Sequence, residues 1–518
     1  MNSPSNSHSQ RHLIQKQVID IALMGDNNPA QVQREIKRVY YELLLPQLEL
    51  LFDRYTYPEA VFRINKLELG LIEVAPDRIA TELVDKVIKE IALQLDAFKE
   101  STGKKDHSGS AAAVEEPVGE LDAFIHFLNT GLFPWYADVK DIAVYEAGLV
   151  DLFKTQPVAV VTAVLHVLKT NKQALIRCAE QFSDTFLLSL VALLHPQEKD
   201  ALMKRFDLLH HFFRTSQRLI IPEERLQRLL WQQLLQTGVE PGITTLAEME
   251  NYFSNAVVFS LIAYVERVDE ALCIRQLYEE ATWRVRTVPA FTTVQTVLGK
   301  LLTVADKKAD PDQPNDSLAG DLDEETITPF TAEKKKAVIS QKNKKQGKNI
   351  TGEIYINNAG MVLLHPFLST CFTALGLLHK NVFVDDKART RAIHLLQYMA
   401  TGEETPPEYI LALNKIICGV PLDEPVEKEL RLTVNEKEEA DNLLASVIQH
   451  WRILKNTSAD GLRNNFLQRQ GKLSRREDGG WLIQVEQRTI DILLSHLPWG
   501  LSMIKLPWLN ELIYVEWS

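Results

Sequence analysis

The sequence predicts a mostly α-helical, multi-domain protein with α+β units at its two ends, a helical middle region and mobile linkers. Three observations carry this prediction. Apolar residues recur at spacings of three and four through most of the chain. That period changes to two at only a few places, first at residues 66–71 and then beyond residue 351. Two stretches, 100–119 and 305–350, carry no apolar period and are rich in Lys, Ser, Gly or Asp. At roughly 150 residues per domain, a chain of 518 residues accommodates about three folding units.

The first unit spans residues 11–99. Ile14, Val18, Ile21 and Ala22 share one helical face, and Val32, Ile36, Val39 and Leu43 share another. Pro46 and Pro58 are expected to punctuate the next stretch, with a short amphipathic helix over Leu48, Leu51 and Phe52 between them. Lys66-Leu67-Glu68-Leu69-Gly70-Leu71 alternates as a half-buried strand does. A further helix opens after Pro76 and Asp77 and buries Ile79, Leu83, Val87, Ile91 and Leu95.

Residues 100–119 form the first linker and 120–304 the helical middle unit. Leu226, Leu229, Leu230, Leu234 and Leu235 mark a typical amphipathic face there. Glu223 and Glu224 after Pro222 suit a first helical turn. No sequence period is firm enough to define a repeat. The second linker, 305–350, is acidic in its first half and basic in its second. Too little apolar surface is available there to offset the entropy of ordering, so a solvated tether is expected.

The last unit, 351–518, is predicted to be α+β. Ile354-Tyr355-Ile356 reads as a strand before the Asn357-Asn358-Ala359-Gly360 turn. An apolar helical region comes next, interrupted at His365-Pro366, and a helix over Arg391 to Met399 stops at Gly402. Thr433 and Glu436 have capping-box spacing ahead of a helix facing inward with Leu443, Leu444, Val447 and Trp451. Gly471-Lys472-Leu473 and Trp481-Leu482-Ile483 flank a Gly479-Gly480 turn as a hairpin, and Leu512 to Trp517 reads as a final strand.

Composition narrows function. A net charge of −12 argues against a general nucleic-acid binder. No stretch approaches the ~20 uninterrupted apolar residues of a membrane-spanning helix. The polar first ten residues lack the apolar core of a secretory signal, so the chain is expected to remain in the cytoplasm. Cys178, Cys273, Cys371 and Cys418 are far apart and in apolar runs, which suits buried reduced thiols. Walker A, GxSxG, HExxH and paired CxxC patterns are all missing.

His365, His379 and His394 have spacings that fit no metal-ligand pattern and are expected to be structural. Cys418 with His450 lacks flanks that support a nucleophile and its base, and Glu403-Glu404 and Glu438-Glu439 suit a solvated surface. No catalytic, cofactor-binding or metal-binding residue is therefore assigned, and no small-molecule substrate is expected.

The recurring Pro-Trp steps are more informative. Phe133-Pro134-Trp135, Leu497-Pro498-Trp499 and Leu506-Pro507-Trp508 each join a fixed bend to a large apolar ring with one donor. Such a step commonly forms a core corner, and it can also anchor a protein partner. Pro498, Trp499, Pro507 and Trp508 are the candidate partner contacts.

Several longer segments together carry a resemblance. They are Tyr355-Ile356-Asn357-Asn358-Ala359-Gly360, Leu363-Leu364-His365-Pro366-Phe367-Leu368, and His394-Leu395-Leu396-Gln397-Tyr398-Met399-Ala400-Thr401-Gly402. Leu413-Asn414-Lys415-Ile416-Ile417-Cys418-Gly419, His450-Trp451, Gly461-Leu462-Arg463, Phe466-Leu467-Gln468-Arg469 and the two Leu-Pro-Trp steps continue the series. Ile64-Asn65-Lys66-Leu67-Glu68-Leu69-Gly70 and Phe127-Leu128-Asn129-Thr130-Gly131 extend it toward the N-terminus. In this order they resemble the tape-measure protein family of bacterial contractile injection systems, departing at Asn65 and Leu69, where acidic residues are expected.

The resemblance implies a non-enzymatic component of a phage-tail-like particle. Its partners would be tube, cap or baseplate proteins, and its task would be to set inner-tube length during assembly in the cytoplasm. A globular assembly chaperone or terminal adaptor of the same particle is the alternative. An all-helical chain of this length would reach roughly 780 Å, but recurring Pro residues interrupt any such span.

Overall fold

The computed structural model describes residues 19, 29–55, 67, 69–75, 78–102, 118–134, 137, 139, 141–219, 221–264, 270–309, 353–476 and 478–517. The chain divides into two compact units, residues 1–124 with 134–138 and residues 125–133 with 139–518. The helix expected over residues 14–22 lies outside the described residues, Ile19 apart. Most of the segments expected as linkers lie outside them too.

In the first unit, helix Pro29–Val39 ends with Lys37 and Arg38 in its last turn, where cations meet the negative end of the helix dipole. Pro46 does not break the chain's helical course as expected. A single π turn, Tyr40–Leu44, leads into helix Leu45–Asp53 with Pro46 in its first turn, where a missing N–H costs little. The helix expected after Pro76 runs over Val84–Thr102, entered by a π turn at Ile79–Leu83. Its Val84, Val87, Ile91 and Leu95 close a core with Val39, Leu44, Leu48 and Leu51. The expected strand is different. Leu67, Leu69, Ile72 and Val74 pack against that core, but among the described residues 67 and 69–75 carry no strand; Lys66 and Glu68 of the expected strand lie outside them.

In the second unit the apolar periodicity yields helices Ile142–Thr155, Pro157–Thr170, Lys172–Gln181, Asp184–Leu194, Lys199–Arg214, Glu223–Val239, Leu246–Tyr264, Glu270–Arg284 and Thr292–Ala309. Side chains of Asp141, Asn171 and Ser183 cap three of them by accepting first-turn N–H groups. Helix Glu223–Val239 lies at the centre, packed against Lys172–Gln181, Lys199–Arg214 and Leu246–Tyr264 through buried Leu226, Leu230, Trp231 and Leu234. No single helix among the described residues is long and apolar enough to cross a membrane. The apolar pair Ile142–Thr155 and Pro157–Thr170 bends by 116° at its junction.

The α+β part of this unit begins with strand β1 (Ile354–Ile356). A 3₁₀ turn, Ala359–Leu364, passes into helix His365–Ala374, with Pro366 at its start. Strands β2 (Leu378–His379) and β3 (Val382–Phe383) form a small hairpin not foreseen from the sequence. Lys380 and Asn381 turn it with positive φ. Helix Asp386–Thr401 ends at Gly402, whose φ of 81° is left-handed. After helix Ala412–Cys418 the chain is irregular until Thr433 and Glu436 form the expected capping box of helix Val434–His450.

Strands β4 (Gly471–Arg475) and β5 (Trp481–Val485) make the expected hairpin. β6 (Met503–Ile504) and β7 (Ile513–Glu516) complete a five-stranded sheet of order β1-β4-β5-β7-β6. All its pairs are antiparallel except β5 with β7. Period two places Leu473, Trp481, Ile483, Val485, Ile513 and Val515 in the core.

Candidate functional site

Three buried polar centres, all in the second unit, stand out from this apolar framework. The first is built on helix Lys172–Gln181. Its Ala174, Leu175, Cys178 and Ala179 are fully buried, and Arg177 is the charged residue among them. Arg177 Nε donates to both oxygens of Glu408 at 3.0 Å, Nη1 to the carbonyl of Leu128, and Nη2 to that of Asp423 at 2.6 Å. Lys415 Nζ donates to Glu408 Oε1 at 2.6 Å and to the carbonyls of Leu422 and Glu424 at 2.9 and 2.7 Å. Both cations and the carboxylate are essentially solvent-free. Burial holds the Lys415 ammonium below its usual pKa, and Glu408 opposes that shift.

The irregular stretch 420–432 is strapped across this centre by side chains. The carbonyl of Val426 accepts from Gln181 Nε2 at 2.8 Å, that of Glu427 faces His394 Nε2 at 2.7 Å, and that of Arg431 accepts from Arg391. Lys428 Nζ donates to the Gln181 carbonyl at 3.2 Å. Backbone groups that would pair in a helix or sheet are here paired with side chains of both the helical and the α+β parts. His394, enclosed between the carbonyls of Glu427 and Glu404, is held below the usual imidazole pKa by burial.

The segment 127–133 closes the same centre. Gly131 ends helix Val118–Thr130 with φ 76°. A Cβ there would strike Glu408 Oε1 and lie 3.2 Å from Arg177 Nε, so glycine is needed twice over. Leu132 enters the core of the α+β part, and Phe133 stacks on Phe127 and meets Tyr409 edge to face. Asn129 Oδ1 accepts from Asn171, the cap residue of the Arg177 helix, at 2.9 Å.

The second centre joins three of the segments singled out in the sequence. Asn358 Nδ2 donates to Gln397 Oε1 at 3.0 Å and to Asn414 Oδ1 at 2.9 Å, and Asn414 Nδ2 donates to the Ile393 carbonyl at 3.0 Å. All three side chains are fully buried. Next to them, Gly360 lies so close to the Phe466 carbonyl that any Cβ would overlap it.

In the third centre, buried Arg469 pairs with Asp491 and donates to the carbonyls of Asn465 and Glu486. Trp517 Nε1 reaches Asp491 Oδ2 at 3.2 Å, which ties the end of the last strand to this pair.

The candidate contacts separate into two kinds. Trp508, half-buried like Trp499, is a strut: its Nε1 donates to the Ile417 carbonyl at 2.7 Å, and its ring lies against Phe372 and Phe383. Trp499 is half-buried against Phe367, which in turn meets His450, and its buried Nε1 has no acceptor among the described residues. The preceding 3₁₀ helix, Thr489–His496, contains no buried residue, and its Ile492 is 75% exposed. Pro498 and Pro507 are both exposed. Trp135 lies outside the described residues.

All four cysteines are free and buried, and burial pushes the Cys371 thiol up to about 12. His365 Nδ1 faces the Val362 carbonyl, and His379, contrary to the expectation of an enclosed histidine, is exposed on β2. Glu404 pairs with Lys437 at the surface. Among the described residues no group of His, Cys, Asp and Glu is arranged to hold a metal ion.

Sequence reasoning missed Arg177 and Glu408, which lie 231 residues apart and carry no local signal. Asn358, Gln397, Asn414, Lys415 and Arg469 lie inside the segments that carry the resemblance, but nothing local shows that their side chains meet.

A family model described as contractile injection system tape measure protein matches residues 11–517. Neither the curated proteins nor the solved structures give a match.

Proposed function

The chain belongs to the contractile injection system tape measure protein family, and from that premise we propose that it is a non-enzymatic assembly protein that helps set inner-tube length while its units stay folded. The observation that carries the folded state is the Arg177–Glu408–Lys415 centre with its strap. The three protons of Lys415 and the Nε, Nη1 and Nη2 positions of Arg177 are engaged. Drawing the chain out along a tube would strip two cations of these partners. Breaking one buried pair of this kind typically costs about 3–5 kcal/mol. On this view length is encoded by the charged residues between the described ends at 309 and 353, and the folded parts bind tube, cap or baseplate proteins.

Trp499 with Pro498 is the better-supported contact of the two steps. The half-buried Trp499 ring lies in the turn after a 3₁₀ helix whose Ile492 is 75% exposed, and together they offer apolar surface to a partner. Pro507 and Trp508 remain candidates with less to offer, because the Trp508 ring is held by Phe372, Phe383 and the Ile417 carbonyl. The second reading, a globular chaperone or terminal adaptor of the particle, is favoured by the same saturated centre.

Electron microscopy of particles assembled with residues 310–350 deleted in frame separates the two. Uniform shortening by roughly 60 Å if those residues are helical, or up to about 140 Å if extended, is expected of a ruler. Unchanged length, or absence of the chain from mature particles, would move the protein to the adaptor or chaperone class.

A further inference from the structure

Residues 310–352 link the helical part of the second unit, which ends at residue 309, to its α+β part, which begins at residue 353. The two parts also meet directly, and each supplies what the other lacks. Gln181, buried at the end of helix Lys172–Gln181, turns both ends of its amide to the α+β part. Its Nε2 donates to the Val426 carbonyl at 2.8 Å, and its Oε1 accepts from the Glu408 N–H at 3.0 Å. Its own backbone carbonyl accepts from Lys428 Nζ at 3.2 Å. One residue of the helical part thus makes three bonds across the boundary.

Charge is matched in the same way. Arg225 lies between Glu180 of its own part, at 2.6 Å, and Glu427 of the other, at 4.0 Å, and Glu224 pairs with Arg431. Glu408 and Lys415 both belong to the α+β part, so separation would keep that pair and strand Arg177, leaving it the Leu128 carbonyl. The apolar fit runs in the opposite direction. Leu132 of the helical part is buried in the α+β core, and Phe133 meets Tyr409. Buried donors, acceptors, charges and a core side chain all find their partners across the boundary, as they do in a stable interface between chains.

We propose that this surface holds the two parts together by itself, so that a chain cut between residues 309 and 353 remains one complex of two pieces. The partner that the helical face recognises is the α+β part, and the bonds of Gln181 and Arg177 do the holding, without the peptide connection. Holding of this kind is independent of any role in setting tube length, and it is read on purified protein without particles.

The test places a site for a sequence-specific protease within residues 310–350 of the full chain. After complete cutting, gel filtration with light scattering is run at roughly 1 µM, the weak end of affinity for a standard interface. One peak holding both pieces at the mass of the uncut chain is expected. Amide exchange in helix Lys172–Gln181 and in residues 420–432 should match that of the uncut chain. Gln181→Ala leaves the Glu408 N–H and the Val426 carbonyl without these partners and should speed separation of the cut pieces about tenfold or more. Should that variant not fold, Lys428→Met keeps the apolar stem, removes the donor to Gln181 and should speed separation severalfold.

Separation of the unsubstituted pieces on cutting would overturn the proposal and make the connection essential to the unit. Co-elution only as large, dye-binding aggregates would overturn it in favour of unspecific sticking between exposed cores. A cut complex that separates at the same rate with Gln181→Ala or Lys428→Met would place the holding contacts elsewhere and overturn it equally.

Discussion

Arg177 sits on a helix whose neighbouring positions are filled by small and apolar side chains, and its charge is tolerable only because Glu408 and two carbonyls meet it. Glu408→Gln should therefore destabilise the second unit by about 3–5 kcal/mol in urea unfolding, since it leaves Arg177 and Lys415 buried without their counter-ion. The triple change Arg177→Met, Glu408→Leu, Lys415→Met should recover much of that loss, because it removes the need for pairing altogether. A triple variant no more stable than Glu408→Gln would show that the centre contributes through shape rather than charge.

Glu436 gives a second expectation. Burial alone would raise its carboxyl pKa, but Arg391 and the N–H and hydroxyl of Thr433 hold it below the ordinary value of 4.5. A carboxyl with a depressed folded pKa stabilises above its unfolded pKa, and this contribution is lost as pH falls through the folded value. Melting temperature should thus drop below about pH 4.5, and less steeply in Glu436→Gln, whose starting stability is lower. Parallel acid limbs for the two proteins would refute the assignment. Neither the Arg177–Glu408 pair nor the Arg391–Glu436 pair could be read from the chain, because a buried charge becomes visible only when its distant partner is known.

At the scale of elements, local rules foretold a good deal. The capping box at Thr433 and Glu436, the stop at Gly402, the β4–β5 hairpin and the last strand all arise from short-range chemistry. Pro46 shows the limit: a proline expected to punctuate enters a helix instead, because the π turn before it absorbs the missing donor. The segment at 67–75 shows another limit: alternation put Leu67, Leu69 and Leu71 on one face, but Leu71 is exposed while Ile72 and Val74 are seated, and among the described residues no strand forms there.

The two Leu-Pro-Trp steps, alike in sequence, diverge for a similar reason. One meets the Ile417 carbonyl and two phenylalanines, the other ends beside a 3₁₀ helix with nothing buried. Trp508→Ala is expected to cost about 3–5 kcal/mol of stability. Trp499→Ala should cost clearly less in the same melts, yet reduce incorporation into particles. Equal losses of stability would withdraw Trp499 as a partner contact.

Across the whole molecule, residues 125–133 and 139–309 share one compact unit with 353–517, which has a consequence for truncation. A chain ending at residue 309 would keep Arg177 but lose Glu408 and the carbonyls of the strap. It should expose Leu132, which packs in the α+β core, and the Phe133 ring that Tyr409 meets, bind hydrophobic dye and be cleaved faster than the full chain. Equal protease resistance of the truncated and full chains would show that the helical part stands alone.

The sequence by itself determined the helical majority, the capping box at Thr433, the stop at Gly402, the β4–β5 hairpin, the apolar faces and, through its long ordered segments, the family. These are properties of neighbours in the chain: propensity, periodicity and capping act within a few residues. Tertiary structure alone decided that Arg177 and Glu408 form one centre, that Asn358, Gln397 and Asn414 meet, that β7 runs parallel beside β5, and that one Leu-Pro-Trp step is a strut while the other lies at an apolar surface. The physical reason is the same in each case. A buried polar group, a sheet register or a free donor is fixed by what the rest of the chain places opposite it, and that partner lies tens or hundreds of residues away.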